Sequence, residues 1–256
     1  MENRPFIDFQ GKSVLVTGAS SGIGKAICIE LSRYGAELIL IGRDNEKLMK
    51  TVSQLEEGTK YHIMVLDLID HSLILPKMKE TSKQIGRIYG FCHSAGVVET
   101  RPLSVCKSDG IQSMLDVNLI SGIEFARTIC RRDIMEETGG SILFVSSIYA
   151  LVGMPGQIGY SASKGAVAAG VRSMAIELAR RGIRVNAISP GLVRTSMTAG
   201  AFSVLSKEQV KGLEESYPLG TGEPEDVARA AVFLLAPQNR WITGVDLVID
   251  GGYTAR

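Results

Sequence analysis

The sequence has little cysteine, few aromatic residues, almost no net charge and no long apolar run. Its four cysteines, Cys28, Cys92, Cys106 and Cys130, are widely spaced and form no Cys-x-x-Cys. That spacing argues against a zinc ribbon or a disulfide framework and reads as reduced, mostly buried thiols. The three histidines, His62, His71 and His93, lie too far apart in sequence to propose a metal trio, and no metal is expected. No stretch approaches the roughly 18 apolar residues of a membrane span; the run from Ala230 to Ala236 is far too short. Met1 to Asp8 lacks the apolar core of a secretory leader, so a cytoplasmic protein is expected. With 28 Lys and Arg against 27 Asp and Glu, the net charge of +1 offers no basic excess for nucleic acid or an anionic membrane surface.

What is abundant is glycine, 28 residues in 256, without any low-complexity tract. That points to many tight turns or to backbone packed closely against something. Short β-branched and aliphatic runs alternate with longer amphipathic stretches along the whole chain. Strands are expected at 13–17, 38–41, 61–66, 88–93, 142–146, 185–189 and 247–249, about seven in all. Helices are expected at 23–34, 44–56, 71–84, 109–137, 158–181 and 224–236. Apolar strands separated by helices make a parallel sheet covered on both faces. Right-handed crossovers then give an α/β doubly wound Rossmann fold, a three-layer sandwich. No linker, charge block or repeat marks a boundary, so residues 1–256 are expected to form one dinucleotide-binding and catalytic domain. The least regular stretch, 194–222, is long for a loop and reads as a substrate lid.

The first strand runs straight into Thr17-Gly18-Ala19-Ser20-Ser21-Gly22-Ile23-Gly24, and a helix follows at once. Glycines at such a junction let the backbone turn tightly and approach a pyrophosphate. The helix N-terminus then offers free N–H groups and partial positive charge to the phosphates. Gly18, Ser20, Ser21, Gly22, Ile23 and Gly24 are therefore candidate cofactor contacts, although the spacing is G-x-x-x-G-x-G rather than G-x-G-x-x-G. The second strand ends Gly42-Arg43-Asp44, with glycine where an NAD-preferring enzyme usually has an acid for the ribose hydroxyl. Arg43 suits a 2′-phosphate, so NADP(H) is favoured and NAD(H) stays open. Asp44 reads as the cap of the next helix.

Tyr160 and Lys164 are i and i+4, one above the other on a helix face. A phenol with a pKa near 10 is a poor base at neutral pH. An ammonium about 4 Å away favours the phenolate by roughly 1–4 kcal/mol as the effective dielectric falls from about 80 to about 20. Tyr160 would then exchange a proton with a carbonyl or alcohol oxygen.

Together these residues resemble the short-chain dehydrogenase/reductase family in its single-domain form, and over the chain's length its 3-oxoacyl-(acyl-carrier-protein) reductases. The match runs through the glycine loop, Asp67, Ala95-Gly96, Asn118, Ser147, Tyr160-x-x-x-Lys164, Pro190-Gly191 with Thr195, and Asp250-Gly251-Gly252. The resemblance implies that Ser147 polarises the substrate oxygen and that Asn118 holds a water linked to Lys164. Lys164 would also bond the nicotinamide ribose. It further implies adenine contacts from Asp67 and Leu68, and cofactor contacts from Ala95, Gly96, Pro190, Gly191, Val193 and Thr195. Substrate would meet Ser147, Tyr149, Met154, Gln157 and Tyr160, with Ile148, Leu151, Met197, Ala201 and Phe202 as further apolar wall. By the same resemblance, small outward residues such as Ala166, Ala169, Gly170 and Ser173 pair helices into a homotetramer. Two positions depart from the family pattern. His93 and Ser94 stand where Asn-Asn is usual, which leaves the role of His93 open, and Ser21 stands where NADP-preferring relatives carry a basic residue.

The activity implied is NADP(H)-dependent hydride transfer between nicotinamide and a ketone or secondary alcohol. A 3-oxoacyl thioester is one candidate substrate; a sugar, polyol or cyclic alcohol is the alternative. An acidic carrier protein would need basic residues at the pocket entrance, for which Arg131-Arg132 are candidates. A non-catalytic redox sensor would show a damaged Tyr-Lys pair, and this pair is intact. A sugar-nucleotide epimerase would need the other glycine spacing and a longer substrate domain.

Overall fold

The structure is a computed structural model that describes residues 6–202 and 206–255, excluding the side chains of 200–202. The leader-free reading of Met1 to Pro5 and the lid-wall reading of the Ala201 and Phe202 side chains lie outside the described residues. Seven strands form one sheet: β1 (Ser13–Thr17), β2 (Glu37–Gly42), β3 (Tyr61–Val65), β4 (Gly90–His93), β5 (Gly140–Val145), β6 (Ile183–Pro190) and β7 (Asp246–Ile249). Their order is β3-β2-β1-β4-β5-β6-β7 and every pairing is parallel. The helices between them are α1 (Gly22–Arg33), α2 (Asn45–Val52), α3 (Ile74–Ile85), α4 (Ser108–Leu115), α5 (Ser121–Ile129), α6 (Ile158–Leu178), α7 (Ser196–Phe202), α8 (Lys207–Glu215) and α9 (Pro224–Leu235).

Strand alternation sorts the core into two layers. Val14, Val16, Leu38 and Leu40 face one side, where they meet Ile27 and Leu31 of α1, Leu48 of α2 and Val232 of α9. Leu15, Ile39, Ile41 and Phe91 face the other, against Met78 of α3, Phe125 and Ile129 of α5 and Val171 of α6. This is the doubly wound architecture read from the sequence. The order in which strands are laid down reverses between β1 and β4, which opens a crevice at the C-terminal strand ends, where such sheets take their ligands.

The expected single helix over 109–137 is not what forms. After α4 comes a π turn at Asp116–Ile120, in which the Ser121 N–H reaches back to Asp116 O, and α5 ends at Ile129. Residues 131–136 then turn back toward the start of β4, where Ile88 N–H donates to Ile134 O and Glu136 N–H to Ile88 O. The stretch 194–222, expected to be irregular, holds the two short helices α7 and α8; α8 starts with a reciprocal Ser206–Gln209 capping box. At the opposite end of the sheet, Arg184 on β6 donates to Leu234 O (2.7 Å), Leu235 O (3.1 Å), Ala236 O (3.0 Å) and Ile242 O (3.2 Å). One buried guanidinium thus satisfies the carbonyls that α9 leaves open at its C-terminus.

Candidate active site

β1 delivers the chain to Gly18 at φ 68°, a left-handed turn, and a Cβ there would stand 2.9 Å from the Ala95 backbone. Only glycine lets the loop lie against Ala95. Across the crevice, a Cβ on Gly22 would stand 3.2 Å from Thr195 Cγ2. Ser21 precedes α1 in extended conformation but makes no side-chain cap, and the first turn of α1 carries no acid. The first N–H groups of α1 are therefore left for an anion, so the loop fits a dinucleotide pyrophosphate. Next to it, a cavity of about 260 Å³ is lined by Gly18, Ser20, Ser21, Gly42, Arg43, Asp67, Leu68, Ala95 and Gly96. The candidate contacts on this side thus converge on one space.

Arg43 is exposed and carries no ion pair among the described residues. Asp44 accepts the Lys47 N–H at 3.1 Å as the cap of α2, so its carboxylate is already committed. Asp67 is exposed and Leu68 buried. On the far wall Pro190 ends β6 and Gly191 N–H donates to Ile249 O (2.9 Å). Val193 is buried and bridged to Gly222, while the Thr195 hydroxyl takes part in starting α7 through Thr198.

At the other end of the crevice, Asn118, Ser147, Tyr160 and Lys164 meet around the ends of β4 and β5. Asn118 is fully buried in the π turn. Its Oδ1 accepts Val97 N–H (2.7 Å), and its Nδ2 donates to Val97 O (3.0 Å) and Ser163 Oγ (3.0 Å). Ser147 follows β5, and its Oγ accepts the Tyr149 N–H at 3.2 Å. Ser147 also hydrogen-bonds Tyr160, which draws the phenol pKa down, but burial dominates and pushes it up to about 12. Lys164 Nζ donates to Val145 O at 2.7 Å and sits 5.7 Å from the centre of the Tyr160 ring. Burial pushes its ammonium down to about 8.

The expected electrostatics are thereby corrected. Lys164 spends a proton on Val145 and stands back from Tyr160, so desolvation outweighs the pull of the ammonium and favours the protonated phenol. Two of the expected wall residues have contacts of their own. Ile148 is core, and Gln157 donates its Nε2 to Thr100 Oγ1 (2.8 Å), fastening the 99–101 strap. Tyr149 stands edge-on to Tyr160 with ring centres 6.3 Å apart, and Met154 is half-buried nearby in sequence.

Tyr217 and Tyr253, which the sequence reading did not single out, stack at 4.6 Å. Burial raises the Tyr149 and Tyr217 phenols; the neighbouring phenols, Tyr253 among them, add to both. Four of the seven tyrosines in the chain, Tyr149, Tyr160, Tyr217 and Tyr253, are thus linked in one cluster through Tyr149. No spacing rule reports this, because 36 residues separate the stacked pair. Arg131 and Arg132 lie beside the N-terminal end of β4, opposite the site, and Arg131 is paired with Asp133 at 2.9 Å.

A family model described as "Enoyl-(Acyl carrier protein) reductase" matches residues 18–254. The chain is 34% identical over 254 residues to a glucose 1-dehydrogenase of Gluconobacter oxydans (strain 621H), covering 98% of this chain and 95% of that one. It is 33% identical over 247 residues to a 3-oxoacyl-(acyl-carrier-protein) reductase FabG of Rickettsia bellii (strain RML369-C), covering 96% and 98%. The chain belongs to the short-chain dehydrogenase/reductase family. A short-chain type dehydrogenase/reductase from Mycobacterium ulcerans superposes with a TM-score of 0.90 at 30% identity, over 98% of this chain and 92% of that one. Like its relatives, this family member is an oxidoreductase of CH–OH and keto groups that uses a nicotinamide dinucleotide. No helix among the described residues is long and apolar enough to cross a membrane.

Proposed function

We propose that the chain is an NADP(H)-dependent oxidoreductase that interconverts a ketone and a secondary alcohol, with residues 1–256 as one catalytic unit and 194–222 as its lid. The observation that carries the reaction is the pairing of Ser147 and Tyr160, two hydroxyls at one point beside buried Lys164. Two O–H donors suit an oxygen that gains charge, and so favour a carbonyl over a carbon–carbon double bond. When bound, the dinucleotide supplies or takes up the hydride. Ser147 Oγ–H polarises the substrate oxygen, and Tyr160 Oη gives it the proton as charge develops. Lys164 steadies the phenolate left behind, and Asn118 holds the water through which the proton is replaced. The preference for NADP(H) rests on Gly42 and on Arg43, exposed with no ion pair among the described residues, beside the 260 Å³ cavity.

Two substrate classes fit this chemistry. The similarity to 3-oxoacyl-(acyl-carrier-protein) reductases supports a 3-oxoacyl thioester. A sugar, polyol or cyclic alcohol is favoured by the phenols of Tyr149, Tyr217 and Tyr253 near Tyr160, and by the similarity to a glucose 1-dehydrogenase. Phenols both stack on rings and hydrogen-bond hydroxyls. The placement of Arg131 and Arg132 at the far end of the protomer removes their support for carrier docking at the entrance. We read the exposed Ala169, Ser173 and Ile176 along α6 as part of a contact between copies in a homotetramer, which sedimentation would test.

The deciding experiment compares NADPH oxidation with a short 3-oxoacyl thioester against NADP⁺ reduction with an aldose and with a cyclic alcohol. Each is run beside NAD(H) and beside Tyr160→Phe. Turnover that needs Tyr160 and prefers NADP(H) is expected, and the faster substrate class chooses between the two readings. Turnover that survives Tyr160→Phe overturns the mechanism; tight nucleotide binding without turnover on any substrate favours a sensor.

A further inference from the structure

We propose that His93 is a positioning residue: its neutral ring, bridging Thr17 and Val117, holds the π turn at Asp116–Ile120 in the register that points Asn118 into the site. The proposal rests on the reading of Asn118 as part of the reaction machinery.

His93 is the last residue of β4 and is fully buried. Its Nε2 lies 3.1 Å from Val117 O, and a carbonyl only accepts, so Nε2 carries the hydrogen. Nδ1 is then bare and accepts from the Thr17 hydroxyl at 2.9 Å. Thr17 Oγ1 in turn accepts the Ala95 N–H at 3.2 Å. The chain of bonds therefore runs one way, from Ala95 through Thr17 and His93 to Val117, and fixes the tautomer. Burial, with the charge of Lys164 acting in the same sense, pushes the imidazole down to about 3, so the ring stays neutral at neutral pH. A ring with both nitrogens committed in this way is a brace and not a proton carrier.

What it braces is the irregular turn. In an α-helix the Ser121 N–H would donate to Val117 O, whereas here it reaches back to Asp116 O. Val117 O is taken instead by two side chains, Ser121 Oγ at 2.8 Å and His93 Nε2 at 3.1 Å. The helix is also shaped to admit the ring. A Cβ on Gly122 would stand 2.7 Å from His93 Cδ2 and 2.6 Å from Phe144 Cε1. Phe91 and Phe144 flank the imidazole, with ring centres 6.1 and 5.8 Å away. The residue after Val117 is Asn118, and a slip of one residue back to α-helix would swing it by about 100°. That swing would break its bonds to Val97 and Ser163. His93 thus ties the strand that feeds the glycine loop to the turn that aims Asn118.

The test is a double-mutant cycle of His93→Leu and Asn118→Ala, read in kcat, with amide hydrogen exchange of residues 117–121 measured on the nucleotide-free protein. We expect each single change to lower kcat by roughly 10²-fold, the scale of a displaced active-site group. The double variant should fall no further than either single one. Exchange at 117–121 should accelerate in His93→Leu while β1 and β5 stay protected. His93→Asn, which can both donate and accept, should recover part of the loss; it also replaces His93→Leu in the cycle if that variant does not fold. Losses that multiply, or unchanged exchange at 117–121 in a folded His93→Leu protein, would overturn the proposal. If Asn118→Ala alone keeps full turnover, the reading of Asn118 falls, and the exchange measurement by itself decides whether His93 holds the turn.

Discussion

Beside β2 and β3, the crevice ends in exposed groups: Arg43 without an ion pair among the described residues, Asp67 at the surface, and a helix start whose N–H groups are left open. Beside β5 and α6 it ends in buried ones. Asn118, Ser147 and Lys164 are each less than a tenth exposed, and their polar atoms are tied to Val97, Ser163, Tyr149, Tyr160 and Val145. One end presents groups that the chain itself leaves largely unpaired, and the other is held together by the chain's own bonds. An exposed group is held in place by little else, so changing it alters which ligand binds. A group inside a committed network takes the network with it.

The comparison breaks most readily at Tyr160. Tyr160→Phe keeps the ring and removes the proton, and turnover should fall by about 10²- to 10⁴-fold with nucleotide affinity nearly unchanged, measured by kcat and by nucleotide titration. Turnover within tenfold of the parent would show that the buried end does not do the chemistry. At the exposed end, Arg43→Ala should weaken NADPH by about 10- to 100-fold, the scale of a lost charge-assisted hydrogen bond, and leave NADH little changed. An equal loss for both nucleotides would make Arg43 a general fastening and erase the contrast.

A smaller effect is expected from pH. Tyr160 is pushed up to about 12 and Lys164 down to about 8. The proton needed for ketone reduction is thus present throughout neutral pH, and the ammonium that supports it is lost as pH rises through about 8. Initial rates of reduction should hold level below pH 8 and decline above it, while alcohol oxidation, which needs the phenolate, should rise over the same range. Reduction that climbs with pH would reverse the sign of this argument. Smallest is Asp44→Ala, which removes the cap of α2 and should cost about 1 kcal/mol in denaturant unfolding without changing kcat.

How legible each part was in the sequence follows from the range of the interactions that make it. The strands were readable because each is a short apolar run, and Asp44 because a cap is a local rule. The glycine loop and the Tyr160–Lys164 pair were readable because they are fixed by spacing along one turn or one junction. The break in the helix over 109–137 was not, since its apolar repeat continues through 116–120 and the cause lies on other elements, in His93 and Val97. The direction of the Tyr160 pKa was missed for a related reason. Spacing brings Lys164 to the same face, but burial and the carbonyl of Val145 decide where its charge points. Tyr217 and Tyr253 meet Tyr149 only once the sheet, α8 and the segment after β7 are in place.

The Arg184 clasp has a consequence for how the molecule comes into being. The carbonyls it serves lie 50 to 58 residues further along the chain. Until that stretch is present the guanidinium has no acceptors, and burying an unpaired cation is strongly opposed. The β5–β6 edge therefore cannot be sealed until residues 234–242 are in place. Burial of Arg184 thus couples the seating of β6 to the docking of α9 and the turn after it.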